Sequence, residues 1–418
     1  MKTDLTVYIE DDVIPSLLEY CARNALSRFY LVADDNTYEA LGRRVEETLT
    51  GRGLDVKTVM VRGEEIIADE RYIVQVLAQV GREERMYLAV GSGTLTDIVR
   101  FVSHRTRTAF LSLPTAPSVD GYSSGGAPLV IGRLKQTVYT HAPLAIFADL
   151  NTLRAAPRAM IASGFGDMVG KYTSSADWKL GRLLWDEPYS AEIIARVWQA
   201  LEVCVRSADL IGARSAEGIR NLMDGLVESG LCMLDFGLSH PASASEHYLS
   251  HFWEMKLLSE NRPAILHGQK VGVASILVAR FYEQVRRLSR DQAGERLAAT
   301  PMPERDQEIE RIRRGYPVIA DNVIAEQRPF LDMSPEDYRT LQHKALDHWD
   351  DIQEIAAIVP APGEMADLLR RVGGPVDTRT LGLNDEEVAL GLEYAHYYRN
   401  RFTVIKLGRM LGIPLVTR

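Results

Sequence analysis

Tyr87-Leu88-Ala89-Val90-Gly91-Ser92-Gly93-Thr94-Leu95-Thr96-Asp97-Ile98 is the stretch that decides the fold of this chain. A short apolar run ends in two glycines, and helical sequence resumes at Asp97 and continues to Ser103. That order is strand, tight turn, helix. The backbone N–H groups at such a helix start, with the positive end of its dipole, can cradle a phosphate, and the glycines let an anion come close. The stretch is neither GxGxxG nor a Walker sequence, so alone it also fits a purely structural turn.

Outward from the turn the same alternation repeats. Phe29–Ala33 reads as a strand, Thr37–Leu49 as a helix ending near Gly51, Val56–Val61 as a strand and Asp69–Val80 as a helix. Met86–Val90, Ala109–Leu113 and Leu144–Ala148 read as further strands, and residues 127–139 as a β-hairpin around a glycine-containing turn. Strands alternating with helices predict a parallel sheet covered by helices. After Asp149 the periodicity is helical to the end, clearest over Ala191–Leu210, Ala216–Leu231 and Val271–Arg287, with Ser289–Asp306 expected as a charged surface passage. The expectation is an α/β Rossmann-like domain at 1–155 and an all-α domain at 156–418, with a ligand site in the cleft between them. Asp34, just past the strand ending at Ala33, could accept hydrogen bonds from a ribose and disfavour a 2′-phosphate. It could equally be a solvated helix-starting residue.

The composition narrows the function classes. At 418 residues, two domains are expected, and 46% hydrophobic with 25% charged residues is ordinary for a soluble globular chain. A net charge of −9 argues against a nucleic-acid partner, which would need a basic stripe. No segment approaches the roughly 18 apolar residues of a membrane span, and the acidic start Met1-Lys2-Thr3-Asp4 through Asp12 lacks the core of a signal peptide. Cys21, Cys204 and Cys232 form no CxxC pair and read as buried hydrophobes in a reducing cytoplasm.

Histidines carry the chemistry. His240, His247, His251 and His267 crowd into one region although the chain has nine histidines in all. With Asp167, from Gly164-Phe165-Gly166-Asp167, His247 and His267 would make an O,N,N donor set suited to zinc, nickel or ferrous iron. His247 and His251 are four apart and share a helix face, so both could be ligands, or one could meet the substrate. No HExxH occurs. Lys171, Arg100 and His251 are candidate partners for a substrate phosphate.

Five segments occur in order: Gly91–Asp97, Leu113-Pro114-Thr115-Ala116-Pro117-Ser118-Val119-Asp120-Gly121, Ser163–Lys171, Ser245–His251 and Leu266–Gly272. The series resembles the sn-glycerol-1-phosphate dehydrogenases, in the superfamily of iron-containing alcohol dehydrogenases, glycerol dehydrogenase and dehydroquinate synthase. The likeness covers residues 5–280; the last third matches only in being helical. It implies a dehydroquinate synthase-like fold, metal ligands Asp167, His247 and His267, and a dinucleotide on Gly91, Ser92, Gly93 and Thr94 with Asp97 nearby. Asp34 would meet the adenosine ribose, and Thr115, Ser118 and Asp120 would line the nicotinamide and substrate. His251 and Lys171 join Asp120 as expected catalytic or substrate contacts. The implied cofactors are NAD or NADP and one divalent ion, zinc or nickel with iron as a further option. The implied reaction interconverts dihydroxyacetone phosphate and sn-glycerol 1-phosphate in a cytoplasmic homo-oligomer, a dimer. Arg100 and Lys270 depart from the family pattern. The rivals are a sugar-phosphate cyclase of the dehydroquinate synthase type, a dehydrogenase of another phosphorylated polyol, and a non-catalytic metabolite sensor.

Overall fold

The computed structural model describes residues 5–132 and 134–414. Six strands form one parallel sheet: β1 (Thr6–Glu10), β2 (Arg28–Asp34), β3 (Asp55–Val61), β4 (Met86–Gly91), β5 (Phe110–Pro114) and β8 (Ala145–Asp149). Between the last two, β6 (Gly126–Ile131) and β7 (Leu134–Tyr139) pair antiparallel as the expected hairpin. Its turn contains Gly132 at φ +58°, a left-handed conformation that glycine takes without steric cost. Arg133 of that turn, like Met1–Asp4 of the acidic start, lies outside the described residues.

The four inner strands, β2, β4, β5 and β8, form because their residues are buried on both faces. Phe29, Leu31 and Ala33 of β2 join Leu88, Val90, Leu111 and Leu113 in one apolar layer, packed by Val13, Leu17, Val45 and Leu49. Tyr30 and Val32 point the other way, into a layer with Tyr87, Ala89, Val59, Val76, Ile98 and Val102. The period of two sends alternate residues to opposite helical covers, so the run reads as continuously hydrophobic.

The sheet order is β1-β8-β5-β4-β2-β3. From β2 the chain steps outward to β3, then returns to lay β4 on the other side of β2. The direction of winding therefore reverses between β2 and β4, and their carboxyl ends flank the crevice where open parallel sheets bind ligands. The pairing of β2 with β4 ends at Val32↔Ala89, two residues short of Asp34 on one strand and of Gly91 on the other.

Several elements differ from the sequence reading. β1 was expected only as an acidic terminus; its five residues form an edge strand against β8. The helix after the glycine turn begins at Gly93 and runs to Arg105, and the helix expected from Val271 begins at His267 and runs to Arg286. The expected passage at 289–306 contains the helix Arg290–Ala299 and the start of Arg305–Gly315. A capping box between Ser289 and Gln292 starts the first of these.

The chain divides into two compact units, Met1–Met168 with Gln199–Leu238, and Val169–Trp198 with Ser239–Arg418. The first contains every strand; the second, among the described residues, is helical. The division falls inside the helix Arg158–Val169. No helix among the described residues is long and apolar enough to cross a membrane. The three cysteines are buried, and burial pushes the thiols of Cys21 and Cys204 up to about 11 and about 12.

Candidate nucleotide and metal site

At the glycine turn β4 ends on Gly91, and Ser92 precedes the Gly93–Arg105 helix without placing its hydroxyl on the helix N–H groups. Both glycines also have packing reasons. A Cβ at Gly91 would meet Leu95 Cβ at 2.8 Å, and one at Gly93 would meet Val119 Cγ2 at 2.6 Å. Asp34 ends β2 and caps the next helix, its Oδ1 accepting the Thr37 N–H at 2.8 Å. Sequence reasoning offered that capping role beside the ribose role.

Asp97 and Arg100 form a buried ion pair. Burial pushes the Asp97 carboxyl up to about 7 against the pull of Arg100. Arg100 is wholly buried, and it also donates to the carbonyls of Gly121, Tyr122 and Gly126 at 2.5, 3.1 and 3.0 Å. The guanidinium considered for a substrate phosphate is thus committed to the loop that follows Asp120.

The segment 115–123 is fixed from several sides. The Thr115 N–H donates to the Gly91 carbonyl at 3.2 Å, tying it to the glycine turn. Ser118 Oγ lies 3.2 Å from Tyr122 Oη, which donates to the Ala116 carbonyl at 2.6 Å. The Arg158–Val169 helix comes so close that a Cβ at Gly164 would sit 1.9 Å from the Pro117 oxygen. One turn on, Asp167 is buried, and its Oδ2 accepts the Asp120 N–H at 3.0 Å. The Asp120 carboxylate accepts from Ser229 Oγ at 2.8 Å. The long Ala216–Phe236 helix gets that near because Gly230 leaves no Cβ against the Asp120 carbonyl, which would lie at 2.4 Å.

In the helical unit, His247 and His251 stand on the Ser245–Ser259 helix and His267 opens the His267–Arg286 helix. The rings of His247 and His267 lie 5.2 Å apart, and His251 stacks on His267 at 5.6 Å. His251 also packs against Tyr398 at 5.6 Å. The buried Glu246 accepts from His247 Nδ1 at 2.7 Å, and it further accepts from Thr173 Oγ1 and the Ala244 N–H. Burial works against the Glu246 charge, but His247 and the backbone N–H groups of Ala244 and Glu246 together outweigh it and hold the carboxyl below its usual range. With Nδ1 engaged, metal coordination by His247 would fall to Nε2.

Lys171 is buried and donates to the Ala242 carbonyl at 3.0 Å. Lys270 donates to the Ile265 carbonyl and lies 3.5 Å from Glu254. His240 rests near Glu187 and Trp178, and burial, aided by Arg401, pushes its imidazole down to about 3.

Ligand atoms from Asp167, His247 and His267 all lie within 4.8 Å of one another, and so do those of His251, Glu254 and His267. The first set is one oxygen and two nitrogens, a fit for a borderline divalent ion with positions left open. In the second, the Lys270 ammonium beside Glu254 competes with any cation.

The glycerol-1-phosphate dehydrogenase [NAD(P)+] of Geobacillus thermodenitrificans is 36% identical over 404 residues, 96% of this chain and 91% of that protein. The chain belongs to the glycerol-1-phosphate dehydrogenase family. Its Bacillus subtilis member is 36% identical over 94% of this chain and 88% of its own length, and that of Pyrococcus furiosus is 31% identical over 67% and 79%. Residues 8–157 match the iron-containing alcohol dehydrogenase family. Solved structures share this family member's fold. A probable glycerol dehydrogenase from Sinorhizobium meliloti superposes with TM-score 0.61 over 98% of this chain and 96% of that one, at 15% identity. A 1,3-propanediol oxidoreductase gives 0.64 over 99% and 98%, at 12% identity.

Sequence reasoning missed Glu246 and Ser229, which bond to His247 and Asp120. Glu246 had a signal, a carboxylate beside a candidate ligand histidine. Ser229 had none, since its partner is 109 positions away.

Proposed function

We propose that this chain is an NAD(P)-linked, metal-dependent dehydrogenase that interconverts dihydroxyacetone phosphate and sn-glycerol 1-phosphate. The observation that carries the reading is the Asp167, His247 and His267 donor set in a chain aligned almost end to end with glycerol-1-phosphate dehydrogenases. Zinc or nickel suits the donors best, with ferrous iron third. Buried cysteines with no CxxC spacing favour a reducing cytoplasm.

In this reading those three residues would hold a divalent ion, which would supply Lewis acidity toward the substrate carbonyl, and a bound nicotinamide would supply the hydride. The chain's own residues do the rest. The Asp120 N–H holds one oxygen of Asp167 in place. Glu246 fixes the His247 tautomer. The N–H groups at Gly93 and Thr94 receive the dinucleotide diphosphate, and the Asp34 oxygen not used in capping receives a ribose hydroxyl. Thr115, Ser118 and Asp120 line the nicotinamide and substrate, and His251 contacts the substrate's oxygens. Lys171, tied to Ala242, supports the helix after Asp167.

The test is NADH and NADPH consumption with dihydroxyacetone phosphate, before and after chelation and after zinc or nickel is restored. Metal-dependent consumption is expected. A cyclase would show no net cofactor turnover, and a sensor would show none at all. Either result, or turnover untouched by complete chelation, overturns the reading. Light scattering on the same protein tests the homodimer.

A further inference from the structure

The helix that carries His247 starts without a local cap. Its N-cap residue is Ala244, whose side chain can accept nothing. The bonds that hold this helix start come from a neighbouring helix, Lys171–Trp185, on which Thr173 and Asp177 are four apart and share a face. Thr173 donates to Glu246, the partner of His247. Asp177 Oδ2 accepts the N–H of Ser245, the first residue of the His247 helix, at 3.2 Å.

The other oxygen of Asp177 reaches two more elements. It accepts from Tyr282 Oη, on the helix that begins at His267, and from the Val404 N–H, each at 2.7 Å. One turn beyond Asp177, a Cβ at Gly181 would sit 2.4 Å from the Glu187 carboxyl carbon, so glycine makes room for that carboxylate. Glu187 accepts the Phe402 N–H at 2.7 Å and Arg401 Nε at 3.0 Å, while Arg401 Nη1 donates to the Ser243 carbonyl at 2.6 Å. The segment Arg401–Val404 is therefore bonded to the residues just before His247 and to the acid that holds them.

We propose that Asp177 is a positioning residue for the metal site and that Arg401–Val404 is a clamp acting through it to set His247. The inference rests on His247 being a metal ligand. A carboxylate at a helix start also suits the dipole there, so Asp177 supplies from another helix what Ala244 cannot. Outer partners of ligands of this kind typically change metal affinity by about 10–100-fold when removed.

Two variants separate the clamp from general stability. Every partner given above for Asp177 is a donor, so Asp177→Asn turns an amide donor toward one of them. Val404→Pro is the milder probe. Val404 is the first residue of the Val404–Met410 helix, where proline is tolerated, and Thr403 before it is already extended at φ −129°, ψ 168°. That change deletes the N–H that Asp177 accepts and exchanges the buried valine side chain for an apolar ring of similar size.

Zinc affinity of the full-length protein is measured by competition with a chromophoric chelator, and the ligand field by the d–d absorption of the cobalt(II)-substituted protein. Asp177→Asn should weaken zinc binding about 10–100-fold, and Val404→Pro should shift affinity and cobalt spectrum in the same direction by less. If Asp177→Asn fails to fold, Val404→Pro alone decides. Folded variants with wild-type affinity and spectrum, beside a His247→Ala protein that has lost zinc, overturn the clamp and leave the metal reading standing. Wild-type zinc affinity in His247→Ala overturns the metal reading itself.

Discussion

Gly164→Ala places a single methyl where the fold has no room for it. Its Cβ would lie 1.9 Å from the Pro117 oxygen and 2.8 Å from the Pro117 carbonyl carbon. A carbon and a carbonyl oxygen approach to about 3.3 Å, so helix and loop must separate by about 1.4 Å. The obstacle is backbone, so no rotamer change relieves it. Overpacking of this kind costs about 1–3 kcal/mol, and here the displacement falls on the turn that carries Asp167. The Asp120 N–H bond to Asp167, now 3.0 Å, would stretch beyond hydrogen-bonding range. Misplacing a site residue by about 1 Å costs on the order of 100-fold in turnover. The assay pairs urea unfolding with zinc content and NADH consumption. Gly51→Ala serves as the control, because a Cβ there meets nothing within 4 Å, and it should be neutral or slightly stabilising. Wild-type stability, zinc content and turnover in Gly164→Ala would refute the argument that this glycine sets the Asp167 position.

Ser229→Ala removes the hydroxyl that donates to the buried Asp120 carboxylate, and it should cost about 1–3 kcal/mol and raise KM for the ketone more than for NADH; equal effects on both would count against a substrate-side role. Asp34→Ser keeps a good N-cap while removing the charge, so stability should hold within about 0.5 kcal/mol while the preference moves toward NADPH, and an unchanged cofactor ratio would leave Asp34 as a cap alone. His240 gives a pH dependence. Its folded value, pushed down to about 3, lies below the unfolded value of about 6.5, so the unfolded chain binds the extra proton between them. The stabilisation is present above about pH 6.5 and is lost as pH falls toward 3, by up to about 1.4 kcal/mol per pH unit. Replacing His240 with Gln should flatten the acid limb of the stability curve, and superimposable curves would dismiss the linkage.

What the sequence made legible was what local pattern encodes. β2, β3, β4, β5 and β8 are dense apolar runs bounded by turn residues, and the hairpin is marked by Gly132. β1 escaped because an edge strand of five residues has few buried positions, and its neighbours Asp11 and Asp12 read as solvated charge. The Arg290–Ala299 helix was hidden by its exposed charges, although Ser289 and Gln292 spelled out its capping box. At the site, the residues carried by ordered motifs could be named in advance. Their supports could not, because Ser229, Asp177 and Gly164 act on partners brought near only by tertiary packing. Arg100 shows the opposite case. Its type and position suited a phosphate, but a buried guanidinium goes where carbonyl oxygens wait, and that depends on how the loop after Asp120 folds back.

The first compact unit is interrupted in sequence, and that bears on the order in which the protein can form during synthesis. When residue 168 leaves the ribosome all the strands exist, yet Gln199–Leu238, which belongs with them, does not. Until that segment emerges, Asp120 lacks the Ser229 hydroxyl and Ser123 lacks the Val227 carbonyl that accepts from it at 2.7 Å. A nascent chain can therefore assemble its sheet early while the loop at Asp120 stays unset, and the clamp at Arg401–Val404 emerges later still.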